Sequence, residues 1–116
     1  MYVLNTNENI HLVDVDDTLV SFIPLEGAPE LTIEFDGRLH TFYVIENEVK
    51  NVIYAKLRGH FVRVASQGGY AWAQLIVDRL GLGPYVDSIE TKPKWYHDDL
   101  PADAWMTRVF IGHTKK

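Results

Sequence analysis

IHLVDVDDT, residues 10–18, is the stretch of sequence that decides the fold. Apolar and β-branched residues predominate from Ile10 to Val15, and carboxylates appear at Asp14, Asp16 and Asp17. A short apolar run that ends in turn-forming residues is typical of a strand buried in a sheet. Residues two apart on a strand point to the same face, so Asp14 and Asp16 are predicted to present their carboxylates together where this strand ends.

Strand and helix patterns alternate along the rest of the chain. Asp36-Gly37 separates two alternating segments and predicts a β-hairpin with a type I′ turn. Helical periodicity predicts one helix over 46–58 and a second over 70–80. Further strands are predicted at 60–66, 85–89, 94–97 and 107–112, with a helical turn at 101–106.

The alternation of strands with helices predicts an α/β fold. We expect a single three-layer, Rossmann-like domain over residues 1–116, with a central, mostly parallel five-stranded sheet covered on both faces. The predicted hairpin covers about residues 30–45.

Composition excludes several classes of function. The net charge of −5 disfavours binding to an extended nucleic-acid duplex. The chain has no cysteine, which excludes disulfides, thiolate nucleophiles and Cys-based metal sites. No apolar run approaches the roughly 20 residues that cross a bilayer, so we expect a cytoplasmic protein without a membrane partner.

Polar residues follow several of the predicted strands. Ser66 ends the second buried strand, Lys92 precedes a later strand, and Asp98-Asp99 follows that one. Loops at the carboxyl ends of parallel strands converge on one crevice, so these residues are expected to meet Asp14 and Asp16. Several carboxylates in one crevice require a cation, and all-oxygen ligands favour Mg²⁺.

This order of residues resembles the four motifs of the haloacid dehalogenase-like superfamily. The first is Asp14-Val15-Asp16-Asp17-Thr18-Leu19, followed by Ser66, Lys92 and Asp98-Asp99, so the resemblance covers residues 10–99. The segments at 65–73 and 96–100 also resemble short, capless phage and bacterial members. Neither gap between motifs is long enough for a cap domain. The resemblance implies that the hairpin at about residues 30–45 is the superfamily's flap over the carboxyl edge of the sheet, so specificity would come from this flap and its neighbours.

The resemblance implies a Mg²⁺-dependent phosphohydrolase acting on a phosphate monoester. Asp14 would be the nucleophile that forms an aspartyl-phosphate, and Asp16 the acid/base. Ser66 and Lys92 would contact the phosphoryl group, although Lys94 could replace Lys92. Asp14, Asp16 through its carbonyl, and Asp98 or Asp99 would hold the metal.

An open crevice suits a bulky substrate, such as a nucleotide, a nucleic-acid end or a phosphoprotein, and would also admit a phosphorylated small molecule. Phe22, His40 and Tyr43 are candidate substrate contacts. Formation of a homo-oligomer, in which a second subunit closes the crevice, is compatible with the sequence.

Other interpretations compete with this one. The chain could be a catalytically weak module that binds a phosphorylated ligand or a protein through the same metal site, but such a binder has no need for Asp16.

A receiver-like signalling domain would place its phosphorylated aspartate on a middle strand, and dehalogenating relatives usually lack the second aspartate. A calcium loop fails because Leu19 and Leu25 stand where glycine and glutamate are needed. The scattered histidines do not favour zinc.

Four aromatic residues in the second half of the chain are predicted to belong to the core instead of the site. They are Trp72, Trp95, Tyr96 and Trp105.

Overall fold

A computed structural model describes residues 9–113, which form two small sheets and two helices. The strands are β1 (Ile10–Asp14), β2 (Val20–Ser21), β3 (Glu30–Phe35), β4 (Arg38–Val44), β5 (Phe61–Ser66) and β6 (Ser88–Thr91). The helices are α1 (Glu46–Leu57) and α2 (Tyr70–Arg79), with 3-10 turns at Gly83–Tyr85 and Ala102–Ala104.

The first sheet is parallel, with the strand order β1-β5-β6. Its register pairs Asp14 with Ala65 and Ser66 with Thr91, so the three strands end side by side. Helix α1 precedes β5 and α2 follows it, and both helices pack against β5. Crossover helices of this kind are what join neighbouring parallel strands.

The second sheet is antiparallel, with the order β2-β4-β3. Its main part is the predicted hairpin, which is confirmed: Phe35 pairs with Arg38 across the turn. Asp36 and Gly37 have φ angles of 56° and 72°, the two positive values that a type I′ turn requires. Both helices are also confirmed, within one residue of the predicted ends.

The predicted five-stranded central sheet is wrong. The parallel sheet has three strands, and the described segments 94–97 and 107–112 form no strand. A strand exists only where its backbone groups find hydrogen-bonding partners in a neighbour, and an alternating pattern does not supply the neighbour. The predicted turn of helix at 101–106 contracts to the 3-10 turn at Ala102–Ala104.

The three-layer arrangement is also wrong for residues 9–113, which leave much of one face of the parallel sheet exposed. Val62 and Val64 point to the helix side and are fully buried in the core. On the opposite face, Ile10, Leu12 and Phe61 are 54%, 43% and 43% exposed. Parallel sheets are usually covered on both faces, so this domain is a two-layer exception over residues 9–113.

Residues 94–113 run along the surface instead of completing the sheet. Trp95, Tyr96 and Trp105 are 83%, 61% and 54% exposed, so their predicted place in the core is wrong. Trp72 is buried as predicted. The far end of this segment is held by the buried Glu48, whose Oε2 accepts hydrogen bonds from the backbone N–H groups of Ile111 and Gly112.

Asp87 stabilises the amino-terminal end of the parallel sheet, near the start of β5. Its Oδ1 lies 2.6 Å from Lys56 Nζ, and its Oδ2 accepts a hydrogen bond of 2.8 Å from the backbone N–H of Val62. The bond with Lys56 and the bond with Val62 hold the pKa of Asp87 below its ordinary value. This carboxylate therefore joins α1 to the start of β5 in its ionised form.

Asp87→Asn is expected to destabilise the protein at neutral pH. A carboxylate whose pKa is lower in the folded chain stabilises the fold above its unfolded pKa of 3.8, and this contribution is lost as the pH falls through the folded value. The wild type and the variant should therefore differ in Tm at pH 7 and converge in acid, below the folded pKa of Asp87. Thermal unfolding followed by circular dichroism across this range measures the difference, and a constant difference would contradict the assignment.

The longest helix in residues 9–113, α1, has 12 residues. Since a bilayer requires roughly 20 apolar residues in a helix, the described part of the chain contains no helix able to span a membrane.

Candidate active site

Three of the predicted site residues lie at the carboxyl ends of the parallel strands. Asp14 ends β1, Ser66 ends β5, and Lys92 follows β6 directly. The backbone N–H of Lys92 donates to the carbonyl of Ser66 at 2.8 Å, which extends the β5–β6 pairing by one residue. The register of the sheet thus brings residues that are far apart in sequence to one edge.

A tight turn after β1 positions Asp16. The backbone N–H of Asp17 donates to the carbonyl of Val20 at 2.8 Å, and that of Leu19 donates to the carbonyl of Val15 at 2.9 Å. Asp17 has a φ of 62°, in the left-handed region that aspartate tolerates better than most residues. This turn brings Val20, the first residue of β2, alongside Asp16 in an isolated parallel bridge, which keeps Asp16 close to the end of β1.

Asp14 and Lys92 form the central charge pair. Lys92 Nζ lies 3.7 Å from Asp14 Oδ1, and both side chains are about one-third exposed, at 34% and 31%. Burial raises the pKa of Asp14 above its ordinary value, and the Lys92 ammonium and the backbone N–H of Val15 offset only part of this effect. Nearby Asp16 raises the pKa of Asp14 further. Asp14 is therefore a desolvated carboxylate with one cation beside it.

Both carboxylate oxygens of Asp16 accept hydrogen bonds from buried donors. The indole Nε1 of Trp72 donates to Oδ1 at 2.9 Å, and the hydroxyl of Ser66 donates to Oδ2 at 3.3 Å. Ser66 is fully buried, and Trp72 is 5% exposed. Two donors on two oxygens fix the plane of a carboxyl group that otherwise rotates over a broad range.

The hydroxyl of Ser66 also organises the start of α2. It accepts a hydrogen bond of 3.0 Å from the backbone N–H of Gly68, while the Ser66 carbonyl accepts one from Gly69. The backbone N–H of Tyr70 donates to Thr91 Oγ1 at 3.0 Å. Three amides in the loop that opens α2 are thus bonded within the protein, and Ser66 contacts Asp16 directly.

Asp98 and Asp99 lie apart from this edge, on the exposed segment that follows Lys92. Asp98 Oδ1 accepts a hydrogen bond from the backbone N–H of Leu100, which makes a local turn. Among residues 9–113, no three acidic or histidine side chains come close enough together to hold a metal ion. The structure therefore brings together Asp14, Asp16, Ser66 and Lys92, and leaves the predicted acidic pair outside.

Lys94 and the candidate substrate contacts have other surroundings. Lys94 is exposed, two residues beyond the lysine that reaches Asp14. Phe22 packs edge-on against Phe42, with ring centroids 4.7 Å apart. His40 packs between Phe42 and Trp72, and its Nε2 lies 3.3 Å from the carbonyl of Phe35. Tyr43 is partly buried in β4.

Trp72 is the site residue that the sequence analysis excluded. The apolar periodicity of α2 predicts that Trp72 lies in the core, which is correct for its ring. This pattern says nothing about the hydrogen-bond acceptor of the indole N–H. A buried tryptophan needs an acceptor for that N–H. Its place in the first turn of α2, directly after the strand that ends at Ser66, was the available signal.

Comparisons with known proteins add no assignment. No protein-family model matches the chain, and no curated protein is significantly similar to it.

Proposed function

We propose that this chain is a phosphohydrolase that cleaves a phosphate monoester, with Asp14 as nucleophile and Asp16 as acid/base. The observation that carries the proposal is the pairing of Asp14 with Lys92 at 3.7 Å beside a second carboxylate, Asp16, which two buried donors orient. Since the five-stranded fold expected for the resembled superfamily is wrong, the proposal rests on the site.

Asp14 suits the role of nucleophile. An oxygen of its carboxylate would attack phosphorus, and the bond from phosphorus to the ester oxygen would break, giving an aspartyl-phosphate and dividing one difficult displacement into two. The Lys92 ammonium, beside Oδ1, would offset the negative charge of the approaching phosphoryl group. The partial desolvation that raises the pKa of Asp14 also removes water that would shield it.

Asp16 suits the role of acid and base. In its protonated form it would give its proton to the departing ester oxygen, and the resulting carboxylate would take a proton from the water that attacks the aspartyl-phosphate. Inorganic phosphate then leaves, and Asp14 is regenerated. Ser66 would support this chemistry by holding Asp16, because its single hydroxyl proton is donated to Asp16 Oδ2. The expected donation from Ser66 to a phosphoryl oxygen would require this hydrogen bond to break, since a hydroxyl has one proton.

Mg²⁺ is proposed as the cofactor, held by the carboxylate of Asp14 and the backbone carbonyl of Asp16, which leaves the Asp16 carboxyl group to its hydrogen bonds with Trp72 and Ser66. Oxygen donors of this kind fit the ion, which proteins bind through one or two carboxylates together with substrate phosphate and water. When bound, Mg²⁺ would neutralise charge on the phosphoryl group. Asp98 and Asp99 are not needed for this set.

The proposed substrate is a phosphorylated small molecule or a nucleic-acid end that an open edge can admit. The net charge of −5 supports a local contact with one phosphate in preference to an extended duplex. We also propose a cytoplasmic location, supported by the composition without cysteine. The alternative, a module that binds a phosphorylated ligand without turnover, uses the same residues.

Phosphate release from an aryl phosphate, nucleotides and end-phosphorylated oligonucleotides, with Mg²⁺ or with chelator, tests the proposal. Turnover that requires Mg²⁺ is expected, and Lys92→Gln should lower kcat/KM by about 10–100-fold, because one charged group near the transition state is lost. Lys94→Gln removes the same charge two residues away and should change kcat/KM less than about twofold. No turnover, with Mg²⁺ still bound in calorimetry, would favour the binding module; equal effects of the two substitutions would contradict the role of Lys92.

A further inference from the structure

Trp72 lies between the hairpin and Asp16. Its ring packs against Phe35, Phe42 and His40 of the hairpin, with ring centroids 5.1, 5.1 and 5.8 Å away. On its other side, its indole N–H donates to Asp16 Oδ1 at 2.9 Å. The only polar group of this buried ring is therefore bonded to the carboxylate that acts as acid/base in the proposed function.

The loop before α2 is shaped to fit this ring. A Cβ atom added at Gly68 would lie 2.9 Å from Trp72 Cδ1, closer than real Cβ atoms come, and 3.3 Å from Cγ. Gly68 has no unusual backbone angle that would itself demand glycine, so the requirement there is for space. The sequence leaves room at residue 68 for the indole to sit where its N–H reaches Asp16.

Asp16 would be less well defined without Trp72. The second donor is the hydroxyl of Ser66, which lies 3.3 Å from Asp16 Oδ2 and so makes the longer of the two hydrogen bonds to Asp16. The same hydroxyl oxygen also accepts a hydrogen bond from the backbone N–H of Gly68. Hydrogen bonds to charged groups that are short and buried contribute more than long ones. The indole N–H is therefore the main contact that sets the orientation of this carboxyl group.

We propose that Trp72 is a positioning residue that orients Asp16 for proton transfer, and that the aromatic rings of the hairpin hold Trp72 in place. This inference rests on the proposed function for its catalytic consequence. The contact itself can be tested without turnover. The hairpin contributes to the site through the ring of Trp72. A change in how the hairpin packs against this ring alters the orientation of the Asp16 carboxyl group.

Trp72→Phe keeps an aromatic ring and removes the N–H donor. For an alkyl phosphate, whose leaving oxygen must be protonated, kcat should fall about tenfold while KM changes less than about twofold. For an aryl phosphate with an acidic leaving group, the formation of the aspartyl-phosphate, measured in a single turnover, should change little. Trp105→Phe, at a tryptophan that is 54% exposed, is the matched control and should leave both substrates unaffected. Equal losses for both substrates would indicate a purely structural role and overturn the proposal.

The Trp72 indole N–H signal in a proton–nitrogen NMR spectrum tests the contact independently. Trp72→Phe identifies the signal, and Asp16→Asn should shift it upfield, because a neutral amide oxygen is a weaker acceptor than a carboxylate. Gly68→Ala should shift it too, whereas Gly83→Ala, where an added Cβ has nothing within 4 Å, should not.

The two measurements separate the two hypotheses. Wild-type protein that hydrolyses no phosphate ester, but whose indole signal responds to Asp16→Asn and Gly68→Ala, would refute the phosphohydrolase and retain the orienting contact. An indole signal insensitive to both substitutions would overturn the proposal about Trp72, whatever the activity. If Trp72→Phe unfolds, Gly68→Ala takes its place in the kinetic comparison.

Discussion

Asp14→Asn is expected to lower phosphate release by more than about 10³-fold while it raises the Tm at neutral pH. An amide is a much weaker nucleophile than a carboxylate, and removal of a nucleophile that forms a covalent intermediate abolishes the catalysed route. Asn has nearly the same shape as Asp, so the surrounding contacts of β1 and β5 should stay in place. Activity and stability are thus predicted to change in opposite directions.

The gain in stability follows from the raised pKa of Asp14. Burial, the largest cause, disfavours the charged form in the folded protein. A group whose folded pKa lies above its unfolded value of 3.8 contributes stability that is fully present below 3.8 and is lost as the pH rises through the folded pKa. At neutral pH the wild type therefore carries a destabilising charge that the Asn variant lacks, and the difference should disappear in acid.

Thermal unfolding of the two proteins between pH 3 and pH 8 measures this effect. Asp17→Asn is the matched control, because it removes the same charge at an exposed position three residues after Asp14. Asn also tolerates the positive φ of residue 17. This substitution should leave turnover and the pH dependence of Tm nearly unchanged. A lower Tm for Asp14→Asn at pH 7 would show that the ion pair with Lys92 outweighs desolvation.

The sequence predicted those parts of the fold that local interactions determine. Asp36-Gly37 sets the hairpin because its backbone angles are favourable there whatever surrounds it. The helices were predicted because each has an apolar stripe of the right period. The two-residue strand Val20–Ser21 was missed, since a pair of residues has no periodicity and depends on pairing with β4.

The sequence failed where a strand needs a neighbour. The segment 94–97 has aromatic and alternating residues, but Pro93 precedes it and Pro101 follows, and its side chains remain exposed. Strand propensity measures how well a residue fits a half-buried sheet, so it has no meaning without the sheet. The resemblance to a superfamily led to the same error, because it implied strands that residues 9–113 do not form.

The site was predictable to the extent that parallel strands end together. Asp14, Ser66 and Lys92 lie at adjacent strand ends, and the register alone brings them close. The predicted position of Asp98 and Asp99 depended on a strand at 94–97, and this segment forms no strand. Nothing therefore carries these two residues to the edge where Asp14 lies. The contact between Trp72 and Asp16 could not be predicted from helical periodicity, because periodicity does not show in which direction a helix side chain extends from the helix.

Asp16→Asn is expected to lower the hydrolysis of an alkyl phosphate by about 10²–10⁴-fold, the usual contribution of a general acid or base. The amide oxygen can still accept the hydrogen bond from Trp72 Nε1, so the group should keep its place while it loses the ability to transfer a proton. The alkyl ester is affected most, because its leaving oxygen is a strong base and needs that proton as the bond to phosphorus breaks.

An aryl phosphate with an acidic leaving group should behave differently with the same variant. Its leaving oxygen departs without a proton, so the first step continues, but the water that attacks the aspartyl-phosphate has no base. Rapid mixing should therefore show a burst of one phenol per protein, followed by slow turnover, and mass spectrometry should find the chain with one phosphoryl group on Asp14. Asp17→Asn, as control, should give no burst and full turnover. Equal loss for both esters, with no burst and no phosphorylated chain, would remove Asp16 from the proton transfer and leave Asp14 and Lys92 as a site for binding phosphate.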